Sequence, residues 1–186
     1  MDAFSYLSVL LSIVLGLAIT QVLQGFRGLI LTRARVTLYL PTLIWAWLAL
    51  LIAIQEWWAS FGLRVRAHWT FLAFFVVILQ AISTYMVAAL VLPDVTGERN
   101  IDLQRHYFSH RSWFFGALLA TLVFSAAKEL ALRGHLPNRM NGVFHVLFGL
   151  AGLVGAITRR ERFHNLMAPA VGLLFLLYIA LLFARL

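Results

Sequence analysis

Three residues of types that bind metal ions lie four positions apart in this sequence, namely Asp102, His106 and His110. On an α-helix this spacing places a carboxylate and two imidazoles on one face, and Glu98 extends the row by one step. Carboxylate oxygens and imidazole nitrogens are ligands for divalent metal ions, so a metal site is one hypothesis for this stretch. The alternative is the water-exposed face of an amphipathic helix, which the nearby Arg105 favours.

A second group of polar side chains lies inside, or at the edges of, long apolar runs. Glu56, Lys128 and Glu129 carry charge, His145 carries an imidazole, and Gln80 places an amide near the middle of its run. Polar groups in apolar helices are costly to bury, and they are candidates for a functional site. The alternatives are local: an interfacial pair between the lysine and its neighbouring glutamate, a headgroup contact for the imidazole, and an interhelical hydrogen bond for the amide. For Gln80 we favour the hydrogen bond.

Small and polar residues recur at every fourth position of the first apolar run: Ser8, Ser12, Gly16, Thr20, Gln24 and Gly28. We call this row the helix 1 ridge. Four residues advance an α-helix by slightly more than one turn, so the ridge winds by roughly 40° per step and its two halves face different neighbours. We predict that the first three members pack the helix against the bundle or against another copy of the chain. The later polar members, together with Gln21, are predicted to line a polar path.

A similar row of small residues occupies the fifth apolar run. Gly142, His145, Gly149 and Gly152 fall on one helical face. Small residues let two helices approach closely in a membrane, so we predict a close helix contact along this row.

The composition indicates an integral membrane protein. Of 186 residues, 62% are hydrophobic and only 12% are charged, and the mean hydropathy is +0.89. A spanning helix needs about 20 apolar residues. Six runs meet that length, at about 5–30, 37–61, 69–92, 112–132, 141–157 and 166–184. The prediction is an all-α bundle of six transmembrane helices in a single domain, residues 1–186, with no soluble domain and with the longest connection, about 94–111, as an interfacial amphipathic helix.

The net charge of +8 comes from arginines near the ends of the apolar runs. We expect anionic lipid headgroups, rather than nucleic acid, to be their partners, because no contiguous basic surface lies outside the runs. The first, third and fifth connections with their flanks carry nine arginine and lysine residues, against six on the other side. This excess predicts that both termini lie outside the cytoplasm, in a cytoplasmic membrane of bacterial type.

Several chemistries are excluded by missing residues. The sequence contains no cysteine, which excludes disulfides, thiolate metal sites and cysteine nucleophiles. It also has no glycine-rich phosphate loop, no GxSxG and no HExxH motif. We therefore expect no cofactor and do not expect an enzyme.

Alternating helix directions bring the charged candidates to one end of the bundle. Glu56, Lys128, Glu129 and His145 are predicted to meet there in a polar vestibule, with Gln80 deeper in the membrane. The favoured hypothesis is a homo-oligomeric channel or small transporter for an ion or a small polar solute. One alternative is a non-catalytic scaffold or assembly subunit that binds a membrane protein partner or lipid through its small-residue faces. Another is a membrane metal-binding protein or enzyme that uses the 102, 106 and 110 side chains.

Overall fold

The computed structural model describes residues 3–65, 69–94 and 100–183. Its six α-helices are α1 Ala3–Leu31, α2 Leu40–Ser60, α3 Phe71–Val91, α4 Leu103–Arg133, α5 Arg139–Ile157 and α6 Glu161–Leu182. All six are long and apolar enough to cross a membrane. The predicted all-α class and the number of long apolar helices are therefore confirmed.

Local chemistry explains where several helices begin and end. Side-chain oxygens of Thr70, Asp102 and Asn138 accept main-chain N–H hydrogen bonds at the starts of α3, α4 and α5. These contacts satisfy donors that a helix leaves unpaired in its first turn. Pro41 lies in the first turn of α2, where its missing N–H costs little, and Gly134 ends α4 with a φ of 73°.

Two short strands join the connections at one end of the bundle. β1, Val36–Thr37, pairs in parallel with β2, Ile101–Asp102. We call this the odd end, because α1, α3 and α5 finish there. At the opposite end, which we call the even end, the indole N–H of Trp58 donates to the carbonyl of Phe183 at 3.1 Å.

The predicted interfacial helix at about 94–111 is not formed as a separate element. Residues 103–111 are instead the first turns of the 31-residue helix α4. Leu103, Tyr107 and Arg111 lie four apart and are buried in the bundle, beside the polar row of residues 102, 106 and 110. The stretch is amphipathic as predicted, but its inner face contacts protein rather than lipid. Glu98 lies outside the described residues.

The bundle face of α1 is formed mainly by large apolar residues rather than by the helix 1 ridge. The buried side chains are those of Leu7, Leu11, Leu15, Ala18, Val22 and Leu29. Ser12, Thr20 and Gln24 are exposed, and a Cβ at Gly16 would meet nothing within 4 Å. The prediction that the first half of the ridge packs the six-helix bundle is therefore wrong, apart from a hydrogen bond that Ser12 accepts from Trp57. Contact of the ridge with another copy of the chain remains a prediction.

Close helix approaches occur at other glycines. A Cβ at Gly25 would lie 2.7 Å from a methyl carbon of Leu92, and one at Gly155 would lie 2.7 Å from the ring of Phe115. On α5, Gly152 is close to Leu119, as predicted for that row. Gly142 and Gly149, in contrast, have no neighbour closer than ordinary van der Waals distance, so the predicted close contact does not extend to them.

Gly155→Ala is expected to lower the free energy of unfolding by about 1–2 kcal/mol, because the new methyl group must displace a fully buried aromatic ring. Gly149→Ala is the matched control, since it adds the same methyl group to the same helix in open space. Thermal unfolding in detergent should separate the two variants. Equal stabilities would contradict the α4–α5 contact described here.

Candidate functional site

Two adjoining cavities lie between the helices. The outer cavity, of about 240 Å³, is at the even end, and its wall includes the side chains of Glu56, Gln80, Ser125, Lys128, Glu129 and Asn141. The inner cavity, of about 90 Å³, continues towards the middle of the bundle and shares Glu56, Gln80 and Ser125 with the outer one. Its remaining wall is mainly apolar, with Trp45 and Phe148 among its members.

The structure brings together the charged candidates that chain direction placed at one end. Glu56, Gln80, Lys128 and Glu129 line the outer cavity, and His145 lines the inner one. Thr20, Gln21 and Gln24 of α1 do not contribute to either cavity. The polar half of the helix 1 ridge is therefore not part of this site.

Glu56 occupies the inner face of α2. It follows Ala49 and Ala53 at helical spacing, and these small residues allow neighbouring helices to come close. Its side chain is only 6% exposed, and its Oε2 accepts a hydrogen bond from the hydroxyl of the buried Thr84 at 2.5 Å. A carboxyl group thus lies within the bundle, held by α3 and facing a cavity.

Gln80 lies near the middle of α3 and is only 6% exposed. Its carbonyl oxygen has no hydrogen-bond partner among the described residues. The predicted interhelical hydrogen bond is therefore wrong: the amide faces the space shared by the two cavities, where no side chain of α2 or α4 reaches its oxygen. A buried acceptor without a partner costs stability and is available to a ligand.

Gln80→Leu is expected to raise the free energy of unfolding by about 1–2 kcal/mol, because it removes a buried acceptor that has no partner. Gln24→Leu makes the same chemical change on the exposed face of α1 and should have a much smaller effect. The melting temperatures of both variants in detergent provide the measurement. Destabilisation by Gln80→Leu would mean that the amide holds the helices together.

The acidic and basic side chains of the outer cavity form a different ion pair from the one considered in the sequence analysis. Glu129 pairs with Arg133 at 3.2 Å, one helical turn further on. Adjacent residues point in different directions on a helix, and Lys128 does not form the pair with Glu129 that was one alternative for these two residues. Within the described part of the chain, Lys128 has no ion pair or hydrogen bond, and it lines the same cavity as Glu56 and Glu129.

His145 joins α5 to α4 beside the inner cavity. Its Nδ1 lies 2.9 Å from the carbonyl oxygen of Asn141, which can only accept, so Nδ1 carries the proton. Its Nε2 therefore accepts from the hydroxyl of Ser125, at 3.2 Å. Both ring nitrogens form hydrogen bonds, so His145 lines the inner cavity in a defined tautomer.

The predicted metal ligands have other partners. The carboxylate of Asp102 caps α4, His106 donates through Nε2 to the carbonyl of Leu90, and His110 donates through Nδ1 to the carbonyl of His106. No group of three potential metal-binding side chains exists within residues 3–65, 69–94 and 100–183. The prediction of a metal site at 102, 106 and 110 is therefore wrong, because helix capping and main-chain hydrogen bonds take up these side chains.

Sequence inspection missed a buried polar cluster at the odd end. His164 is 0% exposed; its Nε2 donates to the carbonyl of Thr158 at 2.9 Å, and its Nδ1 accepts from the hydroxyl of Tyr107 at 2.7 Å. Arg111, only 6% exposed, donates to the carbonyl of Ala156 at 3.1 Å. The sequence feature that could have revealed this cluster is the apolar stripe of α4, because Tyr107 and Arg111 both lie on it.

Aromatic rings fill the space around this cluster. Tyr39 packs against Tyr107 with ring centroids 5.6 Å apart, and Phe115 is fully buried beside them. Burial, and to a lesser extent the carboxylate of Glu161, raise the pKa of Tyr39 to about 12, so its hydroxyl stays protonated at neutral pH. The odd end is thus packed with side chains, whereas the even end contains the outer cavity.

Together the two cavities form a chamber within the helix bundle, with both signs of charge on the wall of the outer cavity and a mainly apolar wall on the inner one. Such a chamber can bind a small molecule, and the described residues contain no group of three side chains that could hold a metal ion. Comparisons with protein-family models, with curated proteins and with solved structures find no match to this chain.

Proposed function

We propose that this chain is an integral membrane protein that binds a small polar solute or ion inside its own helix bundle and transports it across the bilayer. The observation that carries the proposal is the outer cavity, in which the buried Glu56 and the unpartnered Gln80 carbonyl face the same space. Buried polar groups in apolar helices are retained where a pathway or a binding site requires them.

The packing favours a transporter over an open pore. Both cavities extend from the even end, while the odd end is filled by Tyr39, Tyr107, Phe115 and His164, all less than 9% exposed. A solute in the cavity would therefore need a rearrangement of the helices to leave at the odd end. Access from one end at a time is the arrangement that transporters use around a central site.

The lipid-facing surface fits this proposal. Large apolar side chains such as Ile13, Leu17 and Leu173 are more than half exposed, which a bilayer would cover. Arginines near the helix ends would contact anionic headgroups. A homo-oligomer, and an orientation with both termini outside the cytoplasm, remain predictions.

A second candidate function is a scaffold or assembly subunit. The observation in its favour is the middle of the helix 1 ridge, where Ser12 and Thr20 are exposed and the open space at Gly16 would admit a helix of another chain. If this is the main role, Gly16→Leu should release a co-purifying membrane protein, whereas Glu56 variants should retain it.

Transport can be tested with purified protein in liposomes. Uptake of radioactive sodium, of rubidium as a potassium substitute, and of a labelled amino acid mixture should reveal a protein-dependent flux. Glu56→Gln is expected to reduce that flux at least tenfold, because the carboxyl group faces the cavity. Glu161→Gln, an exposed carboxyl group at the odd end, is the matched control and should retain the flux. Absence of flux for all three probes under imposed gradients would overturn the transport proposal.

A further inference from the structure

We infer that the two cavities together bind a small zwitterion, a molecule of the α-amino acid class with a short apolar side chain. This inference deepens the proposed function, since it names the solute class for the same chamber. It rests on the charge balance of the outer cavity, on its unpartnered acceptors and on the apolar wall of the inner cavity.

The charge balance disfavours a solute with a net charge. Glu129 and Arg133 neutralise each other at 3.2 Å, which leaves Glu56 and Lys128 as one acid and one base that line the same cavity without an ion pair. A lone cation would bind near Glu56 but would face the like charge of Lys128, and a lone anion would face the reverse problem. A zwitterion instead presents an ammonium group to Glu56 and a carboxylate to Lys128.

The hydrogen-bonding groups match an ammonium group. The side-chain carbonyl oxygens of Gln80 and Asn141 are both buried without a partner, and both residues line the outer cavity with Glu56. A primary ammonium group has three N–H donors and no acceptor. Three residues with acceptor oxygens line this cavity, which equals the number of donors, and binding would satisfy the two orphaned amide oxygens.

The inner cavity has room for the third part of the ligand. It adjoins the outer one at Glu56 and Gln80, and its deeper wall is formed by groups such as Leu118, Phe148 and Phe175. An apolar substituent next to the charged groups would enter this space and lose contact with water. An α-amino acid carries its charged groups and its side chain on one carbon atom, which fits two cavities that share a wall.

Ligand binding to the purified protein in detergent tests the inference separately from transport. The probes are L-leucine, 3-methylbutylamine, which lacks the carboxylate, and 4-methylpentanoate, which lacks the ammonium group; sodium and potassium chloride are also tested. Calorimetry should show L-leucine binding, with each single-charge analogue at least tenfold weaker. Equal binding of 3-methylbutylamine or of either salt would overturn the inference in favour of a cation site.

Variants of Glu56 and Lys128 test which side chains bind the ammonium group and the carboxylate of the ligand. Glu56→Gln and Lys128→Met should each weaken L-leucine binding at least tenfold, and the exposed Arg162→Gln should leave it unchanged. Ala151→Phe fills the inner cavity and should weaken L-leucine more than glycine. Melting temperatures without ligand identify any variant that fails to fold. Unchanged L-leucine affinity in a folded Lys128→Met protein would contradict the inference.

The two proposals fail in different ways. Binding of L-leucine without any flux in liposomes would leave the zwitterion site standing and overturn transport. Flux of an ion without zwitterion binding would leave transport standing and overturn the zwitterion site.

Discussion

Replacing His164 by alanine is expected to lower the free energy of unfolding by about 3–5 kcal/mol, the largest loss predicted for any single substitution in this chain. The imidazole is fully buried and bridges the hydroxyl of Tyr107 to the carbonyl of Thr158. Alanine leaves both groups unpaired in the interior and leaves a void among aromatic rings. The start of α6 would thereby lose its connection to α4 and to the end of α5.

Reversible unfolding in mixed micelles of a mild detergent and sodium dodecyl sulfate measures this loss. His135→Ala is the matched control, because that imidazole is exposed and bonds only to the carbonyl of the next residue. Tyr107→Phe removes a single hydroxyl and should lower stability by about 1–2 kcal/mol. The double variant should lose less stability than the sum of the losses in the two single variants. Full additivity would contradict the hydrogen bond between His164 and Tyr107.

Glu56→Leu is expected to lower the free energy of unfolding by about 2–4 kcal/mol, the second-largest effect. The substitution removes the acceptor of the Thr84 hydroxyl, which is 1% exposed. It also removes the carboxyl group that shares the outer cavity with Lys128. The remaining acid, Glu129, already pairs with Arg133.

A double variant separates these two causes. Adding Lys128→Met to Glu56→Leu should restore part of the lost stability, because the uncompensated cation is then absent. Lys128→Met combined with Glu161→Leu is the control, since Glu161 is exposed at the odd end and should show no coupling to the lysine. A Lys128→Met change that destabilises the Glu56→Leu protein further would contradict the electrostatic link.

The cavity residues are expected to trade stability for binding. Gln80→Leu should stabilise the fold and abolish ligand binding, whereas Gly155→Ala should destabilise the fold and leave the cavities intact. Opposite effects of this kind are typical of polar groups that are retained for function in an apolar interior. They distinguish a binding site from a structural polar contact.

The sequence by itself determined the class of the protein and the direction of its helices. Run length and hydropathy are local properties, so six helices were predicted, and the structure has six long apolar helices. Chain order then dictated which polar residues share an end. For that reason Glu56, Lys128 and Glu129 were grouped correctly before any packing was known.

Only the tertiary structure decided which face of each helix lies inside. A four-residue period shows that one face differs from the others, and the helix 1 ridge and the row of residues 102, 106 and 110 both have that period. Periodicity does not tell whether a face meets another helix, lipid or water, because lipid tails are as apolar as leucine side chains. The burial of His164, the close contact at Gly155 and the free carbonyl of Gln80 depend on neighbours distant in sequence. Those contacts exist only once the helices have packed.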